Sequence, residues 1–485
     1  MTEKKMLFGR KKIRYPKKEI NIENIKEILD YIIPIYEDNR DEMRYLLNYY
    51  RGDQPINHRH KEVRPEINNK IVTNHAYEII SFKVGYTFGE PIQYIKKSKD
   101  GPTGEIKEDG SISALNELMA YDGKSVKDRR LAEWMYICGT GYRMIFPTNP
   151  GELNPFETEI VNPLECFVCY DTGFGEKPWL CGKKTEFNGL TTWTIYTDHK
   201  CFTVENSSIN LDKGISERIS NVKEKNHIMG FLPIIEYPLN PSRLGAFEIV
   251  IDLLDALNNS VSNRMDGVEQ FIQSFMKFVN VDIDETDFKA MKELGAIKIF
   301  SRDGAQADVG IITSSLDQSQ TQVLVDDIYQ TILQICGVPD RQASAGGNTG
   351  QALIIGQGWA NAESRAKADE ESFKEAEMQF LKVVSNILSM TSSVDDSLKH
   401  INLREMEIKF NRNRTDNILT KTQALMNQLQ SGVHPRVALQ TSGLYSDPEE
   451  VYVTSKEYMD KRWLDNASSN TLEDKSEGSF VNTHE

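Results

Sequence analysis

Several groups of residues in this 485-residue chain have types that could do chemistry. Cys166, Cys169, Cys181 and Cys201 offer four thiolates, the donor set of a structural zinc site. The spacing argues against it: Cys181 and Cys201 stand twenty residues apart where a zinc pair needs two to four, and Cys166 to Tyr170 reads as a buried strand. Two acid pairs, Asp282/Asp284 and Asp326/Asp327, lack the further carboxylates that would complete a two-metal hydrolytic centre, so they read as strand-end and helix-surface charges. Gly346-Gly347-Asn348-Thr349-Gly350-Gln351 has the glycines of a phosphate-cradling loop but no lysine, and what precedes it reads as helix rather than strand. His58 and His60 sit in a charged connector, where solvated histidines are commoner than ligands. No catalytic set, metal or cofactor is expected.

The elements that must position these residues belong to a chain too long for one hydrophobic core. Its 39% hydrophobic and 27% charged content supports a folded protein, and its formal net charge of −15 argues against one that coats DNA. There is no run of 18 apolar residues for a membrane span and no apolar stretch near the start for a secretory signal, so synthesis in a cytoplasm is expected, where six cysteines stay reduced. The basic opening residues 1–19 read as a flexible tail.

Helical spacing covers residues 20–50 and 68–84, separated by a connector rich in turn formers and charge. Residues 85–94 alternate like a strand and 112–138 read as a helix. From Gly141 to Tyr237 the segments "GYRMIF", "FETEIV", "ECFVCY", "TTWTIYT", "CFTVE" and "LPIIEYP" predict a mostly antiparallel β unit, packed with the preceding helices as one α+β body.

A long helix is predicted over about 243–276. Phe247, Val250, Leu254, Leu257, Val261, Met265, Val268, Ile272 and Phe275 recur at alternating steps of three and four, a seam for packing against other helices. Beside it runs a stripe that includes Glu248, Asp252, Asp255, Asp266 and Glu269; on a single helix such a stripe is an ordinary solvated face. Strand, helix and strand follow over 277–301, then a second long helix from about Asp317, capped by Ser315 and Gln318 and stopped by Gly337 and Pro339. A flexible stretch, "GVPDRQASAGGNTGQALIIGQ", leads into a helix of about forty residues from Gly350 to Met390, a strand near 404–410 and further short helices. Residues 466–485 read as a disordered tail.

The phrases "LLNYYRGDQPI", "NNKIVTNHAYEIISFKVGYTFGEPIQY", "FLPIIEYPLNPSRLGAFEIVIDLLDALNNSVSNRMD" and "QTILQICGVPD", in this order along nearly the whole chain, resemble the portal proteins of tailed bacteriophages, of the SPP1 (Gp6-like) type found in phages of Gram-positive hosts. The resemblance implies an α+β portal-protein fold: mostly helical, with a β-rich wing, long stem helices, a small α/β clip and a helical crown. It places the wing at 20–241, stem helices at 242–276 and 315–337, the clip at 277–314, a tunnel loop at 338–350, a kinked wing helix and strand at 351–412 and the crown at 413–465.

It also implies a ring of about twelve subunits, or about thirteen in isolation, at one capsid vertex of the virion, assembled in the host bacterial cytoplasm. Double-stranded DNA would pass through without sequence readout, and no membrane would be involved. Expected partners are the terminase large subunit, the major capsid and scaffold proteins, and a head completion adaptor. The tunnel-loop residues Arg341, Gln342, Ser344, Gly346, Gly347, Asn348, Thr349 and Gln351 would touch DNA, with Arg341 supplying limited attraction and the glycines compliance. Glu248, Asp252, Asp255, Asp266 and Glu269 would line the channel or its neighbouring groove and repel phosphates, and Lys289, Lys292 and Lys298 would meet partners at the clip. An oligomeric head or tail scaffold without a channel is the alternative; an ATPase or nuclease lacks its motifs.

Overall fold

The computed structural model describes residues 9–96, 110–149, 151–188, 190–207, 218–227, 229–272, 275–279, 308–312, 318–340, 358–392, 394–410, 412, 418–442, 444–445, 448, 451–456 and 458. Among them the chain is a mixture of long helices and small, mostly antiparallel sheets.

Helix α1 (Ile25–Tyr50) and helix α2 (His75–Thr87) flank the charged connector. Strand β1 (Ile13–Arg14) precedes them and β2 (Gln93–Lys96) follows. The single helix expected over 112–138 is two, α3 (Gly110–Tyr121) and α4 (Lys124–Cys138), because Gly123 at φ +69° breaks the ladder. The strand expected from residue 85 starts only at Gln93, since α2 runs on to Thr87.

The β unit holds β3 (Thr140–Pro147), β4 (Phe156–Val161), β5 (Cys166–Tyr170), β6 (Pro178–Phe187), β7 (Leu190–Tyr196), β8 (Lys200–Ser207), β9 (Arg218–Asn226) and β10 (Ile234–Pro238). They form a six-stranded sheet in the order β1-β5-β6-β7-β8-β9 and a three-stranded sheet β10-β3-β4. Every pairing is antiparallel except β1 with β5. Strand β5 alternates faces: Phe167 and Cys169 pack under α1, whereas Cys166 and Val168 join Cys181 and Ile234 between the sheets. Three of the four cysteines are therefore split between two cores, with Cys201 half-buried outside both, and burial raises the thiols of Cys166, Cys169 and Cys181.

The tail expected over 1–19 belongs to the fold from Gly9 onward. Arg10 is buried, pairing with Glu42 at 3.1 Å and Glu248 at 2.6 Å and donating to the Cys138 carbonyl at 3.2 Å. Gly9, at φ +83°, lies so close to the Ser242 carbonyl that an added Cβ would sit 1.9 Å from its oxygen. A buried guanidinium with two carboxylate partners fixes this segment as a strap across the body.

Helix α5 (Ile251–Ile272) follows a single 3₁₀ turn, Glu248–Val250, so it is shorter at both ends than the 243–276 expected; Phe275 already belongs to a strand. That strand, β11 (Phe275–Val279), pairs with β12 (Asp308–Ile312). Helices α6 (Gln318–Cys336) and α7 (Trp359–Met390) come next, then α8 (Asp396–Lys399), strand β13 (Met406–Lys409) paired with β2, and α9 (Ile418–Gln430) with α10 (Pro435–Ser442).

The main core joins α1, α2, α4, α5, α6 and α7 around Tyr237, Phe247 and Phe373. At its centre lies a closed ionic cluster. Arg143 of β3 reaches Glu377 of α7 and Asp128 of α4, while Lys124 meets both carboxylates and Tyr94 and Tyr237 donate to Glu377. The Arg143 guanidinium also lies over the rings of Tyr237 and Phe380. Such a cluster is tolerated in a core only because each charge has partners.

Candidate functional site

Helices α5 and α6 form an antiparallel pair. Arg264 of α5 donates to Gln322 of α6 at one end, and the Cys336 thiol meets the Ala246 carbonyl at 3.6 Å at the other. The seam divides in two. Phe247, Val250, Leu254 and Leu257 are buried in the main core, whereas Val261 and Val268 are half-buried and Met265 is 42% exposed.

The acidic stripe is not one solvated line. Glu248 is buried, holding Arg10 and accepting from the Gly245 amide at 2.8 Å. Asp255 accepts from the Tyr49 hydroxyl at 2.9 Å. Asp266 is buried beneath the connector between α1 and α2, where Lys61 and Arg59 pair with it and both the backbone amide and the side chain of Asn69 donate to it. Burial works to raise the Asp266 carboxyl, but the Lys61 ammonium and the Asn69 donors outweigh it and hold it below the usual aspartate range. Asp252 is exposed and Glu269 half-exposed. As a line of five, the stripe is corrected: Glu248 and Asp266 face partners in their own chain.

Asp266 belongs instead to a ladder at four-residue spacing, unnoticed in the sequence. Asn258 accepts from the backbone and side chain of Thr73, Ser262 from the Ile71 amide at 3.0 Å, and Asp266 from Asn69. One face of α5 thereby satisfies the backbone of an irregular connector, which water would otherwise have to do. The signal was the small or amide side chain at every fourth residue, the types that bond extended backbone.

Every predicted tunnel-loop residue, Arg341 to Gln351, lies outside the described residues, as do Lys289, Lys292 and Lys298 and the pair Asp282/Asp284; Asp326 and Asp327 are exposed on α6. The residues on either side of 341–357 are among those described. Helix α6 ends with Gly337 at φ +68°, its amide bonded to the Gln334 carbonyl and that of Val338 to Leu333. This is a Schellman cap, followed by Pro339. Gln330 donates to Asp340 at 2.7 Å. On the far side Gly358, at φ +82°, opens α7, and a Cβ added there would contact the Pro339 Cα at 3.9 Å. Asn361 donates to the Gln334 carbonyl, and Trp359 packs on Phe82 and Tyr86. The residues on either side of 341–357 thus lie against each other.

The model for phage portal proteins of the SPP1 Gp6-like type matches residues 29–463, a span that includes the α/β body and the antiparallel pair α5 and α6. The chain belongs to the phage portal protein family. No curated protein matches it. Helices α5 and α6 fall within the ranges 242–276 and 315–337 where long helices were expected. Among the described residues no group of three or more His, Cys, Asp or Glu is placed to hold a metal, and no helix is long and apolar enough to cross a membrane.

Proposed function

We propose that this portal chain assembles into a ring of about twelve copies at one capsid vertex and acts as the conduit for double-stranded DNA during packaging and ejection. The observation that carries the reading is that the end of α6 and the start of α7 lie together beside the α5–α6 pair, with Pro339 near Gly358 and Asn361 bonded to Gln334. In a ring, the segments 341–357 would project as a set of compliant contacts, with Arg341 to Gln351 touching the duplex without reading its bases. Asp252 and Glu269, repeated around the ring, would keep phosphates from adhering.

The chain acts as a structural part and not as an enzyme; ATP hydrolysis falls to the terminase. Lys289, Lys292 and Lys298 are proposed to meet the terminase and later the head completion protein, and the wing the capsid and scaffold proteins. A scaffold without a channel would also use paired helices, but it has no need to hold the end of α6 against the start of α7.

Electron microscopy of the purified chain, with its solution mass, tests the reading. A ring with an open channel is expected; a closed oligomer without a channel would overturn it in favour of the scaffold.

A further inference from the structure

Just beyond β13 the chain runs back along α7 towards its start. The Phe410 ring meets Phe373 of α7 edge-on at 5.7 Å and Phe88 at 5.6 Å. Arg412 then pairs with Glu370, about one turn earlier on α7, and at 3.1 Å with Glu363, a further two turns back. The Arg412 side chain is 7% exposed and lies over the ring of Tyr86 on α2, whose hydroxyl donates to Glu363 at 2.9 Å. Two carboxylates seven residues apart are thus drawn onto one guanidinium, an arrangement that suits the forked donors of arginine and not the single ammonium of lysine.

Both sides of this contact lead to other parts of the chain. One turn before Glu363 stands Trp359, the first residue of α7, packed on Phe82 and on the same Tyr86. On the other side, α9 begins six residues after Arg412, at most about 20 Å away even along an extended chain. Helices α9 and α10 enclose a small core of their own, Leu425, Ala438 and Leu439, separate from the main core.

We propose that Arg412 is a positioning residue that pins the lead into α9 to the first turns of α7, so that the start of α7 and the placement of the α9–α10 pair depend on each other. The value of the triad then lies in fixing one geometry, since desolvation offsets much of the attraction within a nearly buried ion cluster. Coupling of this kind is reciprocal. A force that shifts α9 and α10 works on the opening turns of α7, and a displacement of those turns moves the anchor of α9. The inference goes beyond the conduit reading and needs neither a ring nor DNA.

Hydrogen exchange and a distance measurement on the full chain test it. Arg412→Met removes both ion pairs; amides over residues 361–370 should then exchange roughly tenfold faster, while those over 380–388 keep the parent's rates. Arg412→Lys keeps the charge but offers one ammonium to two carboxylates, and should give the same pattern to a smaller degree. Spin labels on cysteines replacing exposed Ala368 and Met426 report the tether directly, in a chain carrying C201S because Cys201 is the one cysteine that is not buried. Diluted into unlabelled chain, they should show one narrow distance in the parent and a broad distribution in Arg412→Met. Glu363→Gln, which leaves Arg412 in place, is the second variant should Arg412→Met fail to fold, and the same two changes are expected of it. Unchanged exchange over 361–370, a rise spread evenly along all of α7, or an equally broad distance distribution in parent and variant would each overturn the proposal. None of these outcomes depends on ring formation, so the conduit reading stands or falls separately.

Discussion

Arg143 and Glu377, fully buried, meet at 3.2 Å and join β3 to α7. Desolvation pushes the Glu377 carboxyl up, but Lys124 and Arg143 overcome it and keep it ionised well below the ordinary glutamate range. Removing Arg143 leaves Glu377 and Asp128 with Lys124 as their one remaining cationic partner in this cluster. Arg143→Met should cost about 3–5 kcal/mol, the usual penalty for breaking a buried pair, read by urea denaturation of the unassembled chain. A loss below about 1 kcal/mol would mean that the cluster relaxes around water.

Glu370, also on α7, behaves in the opposite way. Burial raises its carboxyl from an ordinary 4.5 to about 7, against the pull of Arg412 and Lys374. Because the folded value is raised, the folded state binds the proton more readily than the unfolded chain, so this group adds stability as pH falls from about 7 towards 4.5. Comparing melting temperatures at pH 8 and pH 5, the parent should gain relative to Glu370→Gln on acidification; equal shifts in both would show that Glu370 is solvated.

Asp266 fastens the connector. Asp266→Ala should cost about 1–3 kcal/mol by leaving buried donors without an acceptor. Hydrogen exchange should accelerate at Asn69 and Ile71, whose amides are bonded on the α5 face. Unchanged exchange there would mean that the ladder does not hold the connector.

Deleting residues 343–349 should leave ring assembly intact, since the base at Pro339 and Gly358 is retained, and should impair DNA packaging. Packaging at the parent's level would count against a DNA-contacting loop.

Gly9→Ala meets the Ser242 carbonyl and a left-handed backbone at once. A destabilisation of roughly 1–3 kcal/mol is expected from the backbone strain alone, measured by thermal unfolding. No change would show that the strap is not bound in solution.

What the sequence disclosed and what it hid follow from distance along the chain. The seam through Phe247, Val250, Leu254 and Leu257 was legible because periodicity is local, and those four are buried. Strand β6 was missed because Gly182 and two lysines interrupt its pattern. An added Cβ at Gly182 would lie 2.6 Å from Phe167 and 2.7 Å from Ile195, so the glycine makes room for side chains of both neighbouring strands. Strand β9 was missed because its charged residues suit a sheet edge and leave no alternation. Glu248 and Asp266 looked solvated because their cations, Arg10 and Lys61, are 238 and 205 residues away. Spacing on one helix cannot reveal a partner that distant. The family was legible from phrases spread over the chain, although the Asn258, Ser262 and Asp266 ladder within one of them was not.

The strap also sets an order of events. Ile13 pairs with Cys169, and Arg10 needs Glu248 as well as Glu42 of α1, so this segment is synthesised long before two of the surfaces it docks against exist. Until the start of α5 has emerged and folded, Glu42 is the one carboxylate available to Arg10, and the groove between α1 and the start of α5 stays open. Placing the strap closes a loop of more than two hundred residues, a step whose entropy is repaid only once both walls are standing. Docking of the strap is therefore a late folding event, and it reports that α1, the β unit and the start of α5 have already come together.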